Sequence, residues 1–225
     1  MTKRPEILST LADKVDARHT ALLIVDMSND FLDPAGKTAA RAGRPIGLAR
    51  AVIPKIAELA DSAREAGVTV IFIQHTTLPN YASASGPWLD ARSRATYSTE
   101  DICEQGSWGH QVIPELGVEE RDVRVEKYRY SGFAGTSLDL ILRSKQIRTV
   151  VCCGVSTNAC VEATAREAFS NDYYVVYAED ACASWNVDLH DATLRSAAGR
   201  YATVVPVSEL QSAWQTAANN VGVPQ

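Results

Sequence analysis

Apolar runs of strand length alternate with helical patterns almost from end to end of this chain, and no other feature restricts its fold so much. Candidate strands are Ala21–Val25, Val68–Gln74, Asp122–Glu126, Thr149–Cys153, Tyr173–Ala178 and Ala202–Val205. Between them Ile46–Ala66, Ser137–Lys145, Asn158–Ser170, Leu189–Gly199 and Ser208–Ala218 read as helices. Pro54 marks either the true start of the first helix or a kink in it, and Gly67 is its stop signal. Most of the strands are continuously apolar rather than alternating, as strands covered on both faces are. The pattern predicts an α/β fold, a three-layer α-β-α arrangement around an open, mostly parallel, six-stranded, doubly wound sheet.

At 225 residues and 46% hydrophobic, the chain can build one substantial core, and no shift in composition argues for a second domain. One domain over residues 1–225 is expected, with a long insertion at about 77–117 rich in Pro, Ser, Gly and Trp. Loops of that length inside compact domains are often lids or partner contacts. The net charge of −5 gives no electrostatic reason to expect nucleic acid or an anionic membrane, so the expected partner is a small molecule. Residues 1–19 carry charges throughout, and no apolar run approaches the length of a membrane span, which predicts a cytoplasmic protein. The 5 cysteines are odd in number and unevenly spaced, so no disulfides are expected. His19, His75, His110 and His190 are scattered and no Cys-x-x-Cys occurs, so neither metal nor cofactor is predicted.

In doubly wound sheets ligands bind beyond the carboxyl ends of the strands, near the point where strand order reverses. Asp26 follows the first strand, Lys127 the third, and Cys160 the fourth through the turn Gly154–Ala159, so all three fall at one sheet edge. A thiol at a helix start meets unpaired N–H groups and the positive end of the peptide dipole, which favour a thiolate. Cys160 therefore reads as a nucleophile. Cys152, Cys153 and Cys182 lie in or beside apolar runs and read as packing, whereas Cys103 sits in a polar stretch that suggests exposure. An aspartate after a strand is often a turn former, and a lone lysine is usually a solvated charge. Placed together with a thiol they have other uses. The carboxylate can take the thiol proton and pass it to a leaving nitrogen, and the ammonium favours nearby anions. The backbone N–H groups of Ser156 and Cys160 are candidates for an oxyanion hole.

The segments Ala-Leu-Leu-Ile-Val-Asp-Met-Ser-Asn-Asp-Phe around Asp26, Lys-Tyr-Arg-Tyr-Ser-Gly-Phe from Lys127, and Gly-Val-Ser-Thr-Asn-Ala-Cys-Val around Cys160 resemble the isochorismatase-like cysteine hydrolases. The resemblance runs from about Ala21 to Val205. It implies that Asp26, Lys127 and Cys160 form a catalytic triad and that the Val155–Ser156 peptide bond is cis. It also implies a homo-oligomer, often a tetramer, with a neighbouring subunit near the site. Gly106-Ser-Trp, the run from Arg129, Leu138–Ser144 and Ser156–Thr164 are most similar to ureidoacrylate amidohydrolases, with biuret and triuret hydrolases as neighbours. The implied chemistry is cleavage of a ureide or carbamoyl C–N bond through a thioester at Cys160.

Departures from the family narrow this reading. Nicotinamidases of the superfamily carry an Asp-x-His metal element after the second strand, where this chain has Gln74-His75-Thr76. Isochorismatases that cleave a vinyl ether lack the nucleophilic cysteine. Amidohydrolysis of nicotinamide, maleamate or an N-carbamoyl amine, and a non-catalytic thiol-redox scaffold, stand as alternatives. Asn29 and Phe31, close after Asp26, are candidate pocket residues, as are Tyr130 and Asn158 in the other two segments and Trp108 in the insertion. Asn158 equally suits a helix N-cap.

Overall fold

The computed structural model describes residues 4–94 and 99–221. Its six strands are β1 Thr20–Val25, β2 Thr69–His75, β3 Val123–Lys127, β4 Thr149–Val155, β5 Tyr174–Ala183 and β6 Ala202–Val205. They form one sheet in the order β3-β2-β1-β4-β5-β6, with every strand pair parallel, so the expected mostly parallel sheet is wholly so. All residues of β1 and β4 are buried, while the edge strands β3 and β6 are partly exposed. This explains why the central strands are continuously apolar and the edges are not.

Strand order reverses between β1 and β4. Crossovers running outward in opposite directions, each right-handed, put helices on opposite faces of a sheet. Helix Ile53–Glu65 follows β1 and packs with helix Val207–Val221, whereas Glu162–Ser170 and Val187–Ala198 pack over β4, β5 and β6. The first predicted helix is two, Gly47–Ala51 and Ile53–Glu65, because Pro54 occupies the opening turn of the second, where its missing N–H has no partner to lose. The predicted helix from Asn158 opens as a π-helical turn, Thr157–Val161, and becomes α-helical from Glu162. Among the described residues no helix is long and apolar enough to cross a membrane.

The insertion holds short helical turns at Pro79–Tyr81, Trp108–His110 and Pro114–Leu116 and one helix, Gly86–Ser93; residues 95–98 lie outside the described residues. It is strapped to the sheet edge by buried polar contacts. Asp30 accepts a hydrogen bond from the N–H of Cys103 (2.7 Å), and Gln74 donates to the carbonyl of His110 (2.8 Å). Cys103 is thereby fully buried, contrary to the exposure its polar neighbours suggested. Gly109 is a glycine because an added Cβ would lie 2.2 Å from the Asp30 carboxyl carbon.

Candidate active site

Two backbone features bring the ends of β1 and β4 together. Gly154 has φ +106, and a Cβ there would lie 2.2 Å from the carbonyl oxygen of Val25, so only glycine permits this approach. Asp26 has φ 55, in the left-handed region that aspartate enters more readily than most residues. Its N–H continues the ladder to the carbonyl of Ile73 (2.8 Å), which turns the carboxylate across the edge of the sheet. The Val155–Ser156 peptide bond is cis, and the chain then winds through the Thr157–Val161 turn that carries Cys160.

That turn is fixed from several sides. The Thr157 hydroxyl bonds Nδ1 of His190 (2.8 Å), and Thr164 donates to the carbonyl of Cys160 (2.7 Å) while accepting from the N–H of Gly132 (2.9 Å). Asn158 Oδ1 accepts from the hydroxyls of Ser156 (2.8 Å) and Ser184 (2.6 Å). Asn158 thus braces the turn instead of capping the helix or lining the cavity.

Lys127 is the last residue of β3, one position earlier relative to the strand end than predicted, and it is completely buried. Its ammonium faces Asp26 Oδ2 at 2.9 Å, Cys160 Sγ at 3.2 Å and the carbonyl of Arg129 at 3.1 Å. The other carboxylate oxygen of Asp26 accepts from the N–H of His75 at 2.8 Å. Carboxylate, ammonium and thiol from three separate strand ends therefore share one contact. Burial works against the ammonium, but the charges of Asp26 and Cys160 and the hydrogen bonds to both outweigh it and raise the Lys127 pKa.

The thiol responds in the opposite sense to the thiolate expectation. Burial pushes Cys160 up to about 12, and the Asp26 carboxylate adds to the shift against partial opposition from Lys127. The cause is pairing. The ammonium is already matched by a carboxylate, so the sulfur meets a neutral ion pair rather than an unbalanced cation. The thiol therefore keeps its proton more tightly than a free cysteine does, next to the Asp26–Lys127 ion pair.

A cavity of about 90 Å³ opens over Cys160, room for a small molecule. Phe31 and Tyr130, two of the predicted pocket residues, line it. Asn29 does not, because it is buried and its side-chain amide donates to the carbonyl of Trp108 (2.9 Å). Trp108 itself is 48% exposed and outside the cavity wall. Trp88 of the insertion lines the cavity instead, with His75, Arg92, Ile102 and Trp185, none of which the sequence reading identified. Rings at Trp185, Phe31, His75, Trp88 and Tyr130 form an arc with successive centroids 6.5, 6.3, 5.9 and 5.1 Å apart. Burial, then the charges of Lys127 and Arg92, hold the His75 pKa well below the usual histidine range, so its ring is neutral.

A family model for the isochorismatase domain matches residues 20–209. The chain belongs to the isochorismatase family. Over 187 residues it is 37% identical to the ureidoacrylate amidohydrolase RutB of Azorhizobium caulinodans, covering 79% of this chain and 80% of that protein. A cysteine hydrolase from Pseudomonas syringae pv. phaseolicola superposes with a TM-score of 0.81 at 26% identity, covering 91% of this chain and 96% of that one. N-carbamoylsarcosine amidase from Thermoplasma acidophilum superposes with a TM-score of 0.67 at 29% identity, covering 84% and 96%. Membership of this family and the amidohydrolase match make the chain a hydrolase of carbon–nitrogen bonds other than peptide bonds.

Proposed function

We propose that this hydrolase is a metal-independent cysteine amidohydrolase of small ureides, with Cys160 as nucleophile, Asp26 as proton carrier and Lys127 as the fixed cation between them. The observation that carries the reading is the shared contact of the three groups, 2.9 Å from ammonium to carboxylate and 3.2 Å from ammonium to sulfur, on the wall of a small cavity. The resemblance to ureidoacrylate amidohydrolase and to N-carbamoylsarcosine amidase supports a substrate with a carbamoyl or ureido group.

In the proposed reaction the thiol proton passes to Asp26 as sulfur attacks the ureide carbonyl carbon and forms an S–C bond. The oxygen of the tetrahedral species lies against the backbone N–H groups of Ser156 and Cys160, both on the cavity wall. Asp26 then delivers the proton to the departing nitrogen, the C–N bond breaks, and ammonia or an amine leaves a thioester on Cys160. Water adds to the thioester, its proton returning through Asp26, and the S–C bond breaks to regenerate the thiol. The released carbamate decomposes to amine or ammonia and carbon dioxide. Transient neutralisation of Asp26 frees Lys127 to stabilise sulfur at the moment of attack, which reconciles a raised resting thiol pKa with nucleophilic chemistry. The arc of rings offers flat apolar faces to a planar ureide and sheds competing water.

The test is ammonia release from ureidoacrylate, biuret and triuret, alongside nicotinamide and maleamate, with intact mass of the quenched enzyme. The expected result is turnover of a ureide and a covalent adduct that vanishes in Cys160→Ala. Full activity of that variant would overturn the assignment.

A further inference from the structure

Three lysine or arginine side chains are buried among the described residues: Arg64, Arg92 and Lys127. A cation removed from water needs a matching charge to be tolerated. Arg64 has one in Asp122, at 2.7 Å, and Lys127 has one in Asp26, at 2.9 Å. Arg92, 7% exposed, forms no ion pair among the described residues. One terminal nitrogen faces Nε2 of His75 at 3.2 Å, a neutral ring; the other donates to the carbonyl of Thr99; Nε has no hydrogen-bond partner. Glu100, whose charge also reaches Arg92, is exposed and accepts a hydrogen bond from the Tyr81 hydroxyl (2.9 Å).

The unmatched cation lies where a substrate goes. Arg92 lines the same cavity as Cys160, its guanidinium carbon 5.5 Å from the centroid of the Trp88 ring in the cavity wall. Burial holds its pKa below the usual arginine value without removing its charge, and a negative Cys160 would raise it, so the two groups are within electrostatic reach. The Asp26–Lys127 pair is neutral as a unit and His75 is neutral, which leaves the inner cavity with a net positive charge.

We propose that Arg92 binds a carboxylate of the substrate, so that the cavity takes a ureide bearing an acid group in preference to an uncharged ureide. This deepens the ureide reading and rests on it. A bound carboxylate supplies the charge that the fold withholds, and a charge-assisted guanidinium pair in a dry site is among the stronger polar contacts. Arg92 is a binding residue in this scheme, separate from proton transfer and sulfur attack, and it fixes which end of the substrate points away from Cys160.

The experiment compares 3-ureidoacrylate with its uncharged methyl ester, in wild type, Arg92→Gln and Arg92→Lys, by ammonia release. Wild type is expected to prefer the acid. Arg92→Gln should lower kcat/KM for the acid about a hundredfold, roughly 2.7 kcal/mol, mostly through KM. The ester should change less than about threefold, and Arg92→Lys should fall between, since charge is kept and the fork is lost. Equal losses on both substrates, or a wild type that favours the ester, would overturn the assignment of Arg92 while leaving the ureide reading intact. A wild type that turns over neither, with no adduct on Cys160, sinks the ureide reading. Thermal stabilisation by propionate against propionamide then decides Arg92 separately, and it needs only the wild-type protein. Selective stabilisation by propionate supports the carboxylate site, and equal or absent shifts overturn it.

Discussion

At the carboxyl ends of β1, β3 and β4 each reactive side chain is held by backbone with almost no freedom: Asp26 at φ 55, Lys127 in full burial, Cys160 in a turn braced by Thr164 and His190. The insertion opposite holds Trp88, Arg92 and Ile102 in a different way, on a short helix and loops fastened by a few side-chain contacts such as Asp30 to Cys103. One wall carries a charge-balanced reactive cluster, and the other carries ring faces and an unbalanced cation. Under the proposed mechanism the contrast separates two jobs. Changes at the sheet edge should abolish chemistry with every substrate, whereas changes in the insertion should alter which substrate is accepted.

The sharpest way to break that division is at the sheet edge. Cys160→Ala should reduce ammonia release by at least about 10⁴-fold while the circular dichroism spectrum is unchanged, because the side chain removed is small. Lys127→Met should also abolish turnover, and by leaving Asp26 buried without its partner it should lower stability by about 3–5 kcal/mol in urea titration. Adding Asp26→Asn to that variant should recover much of the stability and none of the activity. Recovery of both would mean the pair is structural only.

A second test concerns ionisation. Because burial and Asp26 raise the Cys160 pKa to about 12, alkylation of Cys160 by iodoacetamide should keep rising with pH beyond 9 rather than level off near 7. The same shift bears on stability. A thiol that keeps its proton more tightly when folded contributes stability that is intact below its unfolded pKa, near 8.5–9, and declines as pH rises towards about 12. His75 acts at the other end. Its folded pKa is depressed, so the unfolded chain binds more protons below about pH 6.5 and stability falls as the solution is acidified through that range. His75→Gln keeps the backbone N–H that serves Asp26 and should flatten that acid limb, as read by melting temperature against pH.

The smallest expected effect lies in the insertion. Trp88→Phe retains a ring between His75 and Tyr130 and should change KM for a ureide by about 2–10-fold with kcat nearly constant. A large loss of kcat would show that the insertion takes part in the chemistry and would erase the division of labour.

How much of this was legible in the sequence follows from the same contrast. Asp26, Lys127 and Cys160 could be placed together because each ends or follows an apolar run, and parallel strands bring such ends to one edge. His75 closes β2 and Trp185 follows β5 at that edge, so the same rule would have reached both had it been applied to every strand. Trp88 and Arg92 were out of reach. They sit in a segment whose path is set by long-range contacts such as Gln74 to His110, which no local pattern records, so nothing local distinguishes Trp88 from Trp108. The bonds of Asn158 to Ser156 and Ser184 bridge to the end of β5, a long-range contact that no local pattern records. The direction of the thiol's shift is hidden for another reason: the helix start is visible in the sequence, but the desolvation of the half-buried sulfur and the prior claim of Asp26 on Lys127 are not.

The ammonium of Lys127 is held on three sides, by the charge of Asp26 and by the hydrogen bonds it donates to Cys160 and to the carbonyl of Arg129. Pinned in this way, that nitrogen is a fixed hub, and in the proposed cycle shuttling falls to a single courier, the aspartate. On that proposal a turnover starts afresh only once the courier has been emptied, which would tie the tempo of the whole cycle to the departure of the amine and the arrival of water.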